Sequence, residues 1–279
     1  MSTDVAAARR KLRDLRGILG AIVDPVVGFS GGVDSSLLAV VARQEVGERV
    51  RAVIADSPSL PRRELDAAIA LARRHDVPLQ VVATDELHDP RYRANGSDRC
   101  AYCKDALVEA VVAHPDLQDR TLLLGVNVDD LGDHRPGQGA ARRRGARFPL
   151  VEAGLGKHEV RSLARELAIG SWDKPAAACL ASRLAYGVEV TAEALARIER
   201  AEEALRALGF AGDVRVRDQG GELARIEVPP DRLEDVVARR TDVVAALRGA
   251  GFRYVTLDLE GFRSGSQNLV ITLGRKQPR

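Results

Sequence analysis

The stretch Ser30-Gly31-Gly32-Val33-Asp34-Ser35-Ser36 follows a short apolar run, Pro25 to Phe29, and precedes LLAVVARQ, which reads as a buried helix. A strand, a glycine-containing turn and a helix form the first unit of an α/β fold. The backbone amides of such a turn, added to the positive end of the helix dipole, make a cradle for anions. Gly31 and Gly32 let phosphates approach without a Cβ in the way. Asp34 can hold Mg²⁺, and Ser30, Ser35 and Ser36 can donate hydroxyls. A Walker A loop needs the Lys of GxxxxGK[ST], which is absent, so chemistry at a γ-phosphate is disfavoured. A helix cap alone would not call for two Gly, one Asp and three Ser.

The alternation continues along the chain. Apolar residues at 5, 8, 12, 15, 19 and 22 predict an opening amphipathic helix. Strands are expected at Val50–Ala55, Leu79–Ala83 and Thr121–Val126, and helices at 61–75, 104–113 and Leu155–Ala168. Strands alternating with helices predict a mostly parallel sheet covered on both faces. Gly132, Pro136, Gly137, Gly139 and the basic run Arg142–Arg144 predict a mobile loop over 132–149.

From 191 the order becomes α-β-β-α-β. A helix ends at Gly209, strands follow at Val214–Arg217 and Leu223–Val228, and Asp231 with Glu234 reads as a capping-box start to a further helix. Tyr254–Leu259 reads as the closing strand. The expected division is therefore a parallel-sheet α/β domain over 1–187 and a smaller α+β domain over 188–279. At ~150 residues per domain, 279 residues suit two.

Lys+Arg 42 against Asp+Glu 40 leaves a net charge of +2, unlike a protein that coats nucleic acid. Aromatic residues at 4% are too few for base-stacking platforms. The first residues hold no apolar run suited to a signal peptide, and nowhere do 18 apolar residues follow one another, so no membrane is expected. Three cysteines is an odd number for a secreted disulfide framework, which points to a reducing cytoplasm.

In that compartment the cysteines are inert, redox-active, catalytic or metal-bound. Cys100 and Cys103 stand two apart in RCAYCK, and Cys179 lies 76 residues on in AAACLASR. C-x-x-C brings two thiolates within reach of one metal, and a distant third can converge on it. Three thiolates satisfy three irons of a [4Fe–4S] cluster and leave the fourth open, whereas zinc would want a fourth ligand. His75, His88, His114, His134 and His158 are scattered. Spacing alone leaves inert or redox thiols about as good a reading.

The heptapeptide 30–36 resembles the PP-loop of the N-type ATP pyrophosphatases. RCAYCK, GVNVDDLGDHRPG, WDKPAAACLASR, RVR and GFRSGSQN, in that order behind it, resemble the LarE family over essentially the whole chain. Those are ATP-dependent sulfur transferases of nickel-pincer nucleotide synthesis. The resemblance implies ATP and Mg²⁺ at Ser30, Gly31, Gly32, Val33, Asp34, Ser35 and Ser36, with pyrophosphate release. It also implies adenylation of a carboxylate of pyridinium-3,5-biscarboxylic acid mononucleotide, sulfur replacing the AMP.

The family includes a kind with a lone sacrificial cysteine at the position of Cys179. Another kind carries the extra C-x-x-C and is expected to hold a [4Fe–4S] cluster on Cys100, Cys103 and Cys179. This chain matches the second kind. A homo-oligomer, up to a hexamer, is also implied. Gln267 departs from the motif, where Met is expected.

Other residues fall at suggestive places. Gly125 ends a strand and could touch the nucleotide through its backbone. Asn127, Asp129, Asp130, Asp133 and Arg135 follow at the carboxyl end of that strand, where α/β sheets place ligands, although a solvated acidic turn is the commoner cause. Arg183, four residues after Cys179, could neutralise a phosphate or carboxylate near the sulfur. Arg215, Arg217 and Arg263 lie in the family motifs and suit the substrate's 5′-phosphate. Only five of the 42 cations are Lys, so a coding bias toward Arg competes with each such assignment. A PP-loop tRNA thiolase and a non-catalytic nucleotide-binding module are the rival readings. The first lacks a basic, aromatic-rich RNA surface, and the second leaves the cysteines idle.

Overall fold

A computed structural model describes residues 2–132, 141–142, 145–175 and 178–263. The chain splits into two compact units, Met1–Glu86 with Cys100–Ala177, and Leu87–Arg99 with Ala178–Arg279.

The first unit carries a four-stranded parallel sheet. Its strands are β1 (Pro25–Gly28), β2 (Arg51–Asp56), β3 (Leu79–Ala83) and β4 (Thr121–Leu124), in the order β3-β2-β1-β4. The helices longer than a turn are α1 (Ser2–Gly20), α2 (Val33–Val46), α3 (Arg62–Arg74), α4 (Arg99–Ala113) and α5 (Lys157–Glu166). Alternate strand residues feed two cores, as the pleat requires. Val27, Ala52, Ile54 and Leu123 pack with Leu15, Leu19, Leu37, Leu38 and Leu163 on one face. Val26, Val53, Leu122 and Leu124 pack with Val108 and Val111 of α4 on the other. The expected α/β class and parallel sheet are present. So is the opening helix, which buries Ala8, Leu15 and Leu19 while Val5 stays exposed.

Helix α4 begins at Arg99, five residues before the expected start, so RCAYCK forms its first turns. Within the expected loop 132–149, residues 133–140, 143 and 144 lie outside the described set, as do Asp133 and Arg135. Pro149–Glu152 forms a single helical turn.

The second unit is built on a three-stranded sheet, β5 (Arg215–Asp218), β6 (Leu223–Glu227) and β7 (Tyr254–Leu257). β5 and β6 pair antiparallel, while β6 and β7 pair parallel across a helical crossover. Its helices are α6 (Ala192–Ala207), α7 (Leu233–Ala238) and α8 (Arg240–Ala250).

The expected single helix after Asp231 is two helices, and the expected capping box does not form. Asp231 lies in a 3₁₀ turn, Pro230–Arg232, and Arg232 precedes α7 with no side-chain cap. The paired prolines 229 and 230 set that turn before a helix can start.

The two units divide near Ala177 rather than at 187, and Leu87–Arg99 belongs to the second. The fully buried Asn95 explains this. Its amide donates to the carbonyls of Ala185 and Val188, at 2.8 and 2.9 Å. The Val190 N–H donates to the Arg93 carbonyl. No helix among the described residues is long and apolar enough to cross a membrane.

Candidate active site

Residues 30–36 join β1 to α2, at the carboxyl end of the sheet. Gly31 has φ +69°, and a Cβ there would fall 2.8 Å from the Ala68 Cβ on α3, so both conformation and packing demand glycine. Gly32 precedes α2 with extended backbone and makes no side-chain cap to its first turn, where an anion can be received. Val33 turns its side chain into the core, so it serves the loop through its amide.

The hydroxyls are internally organised. The Ser30 N–H donates to Ser35 Oγ at 3.1 Å, the two hydroxyls lie 3.1 Å apart, and Ser35 Oγ donates to the Gly32 carbonyl at 3.2 Å. Ser36 is fully buried, and its hydroxyl finds no partner.

Gly125 follows β4. A Cβ there would fall 2.6 Å from the Ser35 nitrogen and 2.8 Å from its Cα. Its bare backbone lets the end of β4 abut the first turn of α2, which accounts for the glycine by packing.

Asp34 is the charged member of the loop. Burial pushes its carboxyl above the ordinary Asp value; the Asn127 side chain opposes this, donating to Oδ1 at 2.8 Å. The neighbouring Asp130 pushes it further up, and Lys157 works against that through space. Burial and a like charge are both relieved by a bound cation, so the donor set fits Mg²⁺. Asn127 and Asp130 fix one another: the Asn127 N–H donates to Asp130 Oδ2, and the Asp130 N–H to Asn127 Oδ1, each at 3.2 Å. Asp129 accepts from the Lys157 N–H at 2.5 Å and so caps α5. The acidic turn thus splits into a cap, Asp129, and a residue facing the Asp34 charge, Asp130.

The second unit gathers buried charge. Arg183 donates from Nε to Glu202 at 3.0 Å, and from Nη1 to the carbonyls of Ala178 and Cys179 at 2.5 and 3.0 Å. Ser182 Oγ donates to the Cys179 carbonyl at 2.6 Å. Arg183 therefore shapes the turn at Cys179 rather than standing open to a ligand.

Arg215 and Arg217 alternate on β5, both buried. Arg217 places Nε and Nη2 on Glu227 Oε2 at 2.9 and 2.8 Å, and donates to the Ser182 carbonyl at 2.9 Å. Arg215 pairs with the more exposed Asp213 at 3.2 Å, donates to the Val214 carbonyl at 3.0 Å and stacks on the Phe262 ring. Burial, then repulsion from Arg183, pulls its pKa below the usual guanidinium value. Arg263 pairs with Glu260 at 2.6 Å, and its Nε is buried without a partner.

The acids Glu202 and Glu227 were not anticipated. Glu202 carried a signal, since it falls in phase with the buried Ile198 and Leu205 on α6. An acid on an apolar helix face implies a buried cation.

None of the three cysteines is in a disulfide; Cys100 is exposed, and Cys103 and Cys179 are half-buried. Cys100 and Cys103 are three apart on α4 and so share a helix face. Cys179 precedes the 3₁₀ turn Leu180–Arg183. Arg99, next to Cys100, donates to the Ala181 carbonyl at 2.8 Å. Among the described residues, no three His, Cys, Asp or Glu side chains are gathered to hold a metal ion.

A family model described as NAD synthase matches residues 19–97, the segment that holds the loop. The chain is 44% identical over 271 residues to an uncharacterised protein of Synechocystis, covering 94% of this chain and 98% of that one. It is 36% identical over 276 residues to the pyridinium-3,5-bisthiocarboxylic acid mononucleotide synthase of Lactiplantibacillus plantarum, covering 98% of this chain and 96% of that one. The chain belongs to the LarE family. LarE proteins are enzymes, ATP-dependent sulfurtransferases on a PP-loop scaffold, and this chain is one of them. An uncharacterised protein of Methanocaldococcus jannaschii is 29% identical over 240 residues, 86% of this chain and 90% of that one.

Proposed function

We propose that the enzyme adenylates a carboxylate of pyridinium-3,5-biscarboxylic acid mononucleotide and converts it to a thiocarboxylate. The product named for the Lactiplantibacillus plantarum relative is the observation that carries this reading. The chemistry follows from leaving groups. A carboxylate oxygen is expelled poorly, so it first attacks the α-phosphorus of ATP, and pyrophosphate departs. Sulfur then attacks the acyl carbon and expels AMP.

In this reading Ser30, Gly31, Gly32, Val33, Ser35 and Ser36 receive the phosphates, with Gly125 packed beneath them. Asp34, held by Asn127, would hold Mg²⁺, which would supply neutralising charge to the departing pyrophosphate. Arg215, Arg217 and Arg263 take the 5′-phosphate of the mononucleotide. Arg215 is the best suited, because burial and the neighbouring Arg183 outweigh the acids beside it and leave its charge disfavoured. Arg183 and Ser182 hold the backbone of Cys179 in one conformation.

Cys100, Cys103 and Cys179 would hold a [4Fe–4S] cluster, and the three thiols suit it as a donor set. Bound there, the cluster offers an open iron position for a transferable sulfide. The hydrogen bond from Arg99 to Ala181 supports this, since it ties the residue before Cys100 to the turn after Cys179. The enzyme is further read as cytoplasmic and homo-oligomeric, without a nucleic-acid partner.

The absence of a gathered three-ligand group among the described residues keeps one rival reading in play: a sacrificial Cys179. Cys100→Ala separates the two. Anaerobically purified protein should contain iron and acid-labile sulfide with an EPR signal, and Cys100→Ala should lose the signal and the activity together. Full activity in Cys100→Ala, with Cys179 lighter by the mass of H₂S after turnover, overturns the cluster.

A further inference from the structure

Three guanidinium groups hold the backbone around Cys179. Arg183 Nη1 donates to the carbonyls of Ala178 and Cys179, Arg217 Nη1 to that of Ser182, and Arg99 Nη1 to that of Ala181. Arg183 and Arg217 also reach the buried acids Glu202 and Glu227. Arg99 differs in origin and in its second partner. It is the first residue of α4, 82 residues before the carbonyl it holds, and the same Nη1 donates to the side-chain oxygen of Asn95.

Asn95 turns that bond into a clasp. Its Nδ2 donates to the carbonyls of Ala185 and Val188 while its Oδ1 accepts from Arg99, so both ends of the buried amide are engaged. Its φ of +54° is a left-handed conformation that Asn tolerates better than most residues. Asn95, with the bond from the Val190 N–H to the Arg93 carbonyl, already joins residues 93–95 to 185–190. The Arg99 bond is not needed to join those segments. What it adds is a link beside the cysteines: one peptide from Cys100 at one end, two residues from Cys179 at the other. A hydrogen bond from a charged donor is strong enough to fix a turn. Groups that fix the surroundings of a metal ligand decide where its donor atom can reach.

We propose that Arg99 is a positioning residue for the three-thiol site. Through the Ala181 carbonyl it sets the turn at Cys179 so that this thiol joins Cys100 and Cys103 on one metal centre. The assignment rests on the cluster reading above and adds a requirement to it: Arg99 and Cys179 act as a unit. Where Cys179 is missing, the turn has no ligand to deliver, and Arg99 has no further influence on metal binding.

The test is anaerobic titration of the full, cluster-free chain with Cd²⁺, a soft cation suited to thiolates, followed by the thiolate-to-metal charge-transfer absorbance. Wild type, Cys179→Ser, Arg99→Met and the double variant form a cycle. Wild type should bind more tightly than Cys179→Ser. Arg99→Met should weaken binding roughly 10- to 100-fold, the range seen when a partner of a metal ligand is lost, and should change nothing once Cys179 is Ser. No loss in Arg99→Met, or an equal loss in both backgrounds, overturns the assignment, because a residue that serves only the fold would not distinguish them. Should Arg99→Met fail to fold, Arg99→Lys takes its place, keeping the charge on a shorter stem. Its loss should be smaller and again confined to the chain that has Cys179; an equal loss in both backgrounds, or none, is then decisive against Arg99. Equal Cd²⁺ affinity in wild type and Cys179→Ser removes the three-thiol reading itself, and this assignment with it.

Discussion

The loop at residues 30–36 and the β5 arginines both suit phosphate, yet they meet the problem of charge differently. The loop offers amides and hydroxyls, which carry no full charge and need no counter-ion inside the protein. Its one ionised group, Asp34, is negative and is held by a neutral amide, Asn127. The second unit instead buries guanidinium groups, Arg183, Arg215 and Arg217 among them, and buries Glu202 and Glu227 with them. A cradle of dipoles can stand empty at little cost to the fold. A shelf of buried cations is part of the fold and stabilises it only while its acids remain.

The sharpest way to break this contrast is at Glu202. It holds Arg183 at 3.0 Å and Arg206 at 3.1 Å, and all but 2% of it is buried. Glu202→Ala would leave Arg183 buried without its carboxylate, a loss of about 3–5 kcal/mol in chemical denaturation. Burial works against the Glu202 charge, but Arg183 and then Arg206 outweigh it, so its carboxyl titrates below the ordinary 4.5. With the folded value depressed, its contribution is fully present above pH 4.5 and is lost as pH falls through the lower folded value. A Glu202→Ala protein as stable as wild type would mean the second unit tolerates uncompensated cations.

The first unit should behave oppositely at Asp34. Asp34→Ala removes the proposed contact to Mg²⁺ and phosphate but no core packing, so pyrophosphate release should fall on the order of 10²–10³-fold. The melting temperature should hold or rise, because burial penalises the ionised carboxylate. Near wild-type adenylation by Asp34→Ala, or its unfolding, would erase the distinction between a cradle and a shelf.

The same difference governs what the sequence discloses. Gly31 is visible because only glycine serves at φ +69° against Ala68, and its neighbours in the chain complete the site. Local rules therefore read the loop, the strands and the parallel order. The arginines at 215 and 217 are visible too, but in a chain so rich in Arg their burial is not. It depends on acids contributed by α6 and β6, and no local pattern joins those positions. The Asp231 capping box failed for a related reason: two prolines fixed the backbone before side-chain capping could act. The unit boundary moved because Asn95 bonds to carbonyls some ninety residues on.

Within the shelf, Arg215 and Arg217 should part company. Arg217 is committed to Glu227, which is fully buried, so Arg217→Ala takes two charged hydrogen bonds from that acid and should cost stability before it reports on binding. Arg215 is different. Glu202 and the part-exposed Asp213 act on it, but burial and then Arg183 outweigh them and disfavour its charge. A buried cation whose internal compensation falls short gains when a phosphate arrives. Arg215→Ala should therefore leave the fold as stable as wild type or more so, while raising KM for the mononucleotide roughly 10- to 100-fold with ATP binding spared. Steady-state kinetics at limiting mononucleotide, read beside denaturation curves for both variants, checks this. If Arg215→Ala keeps a normal KM, Arg215 belongs to the fold like its neighbour, and the phosphate is bound elsewhere.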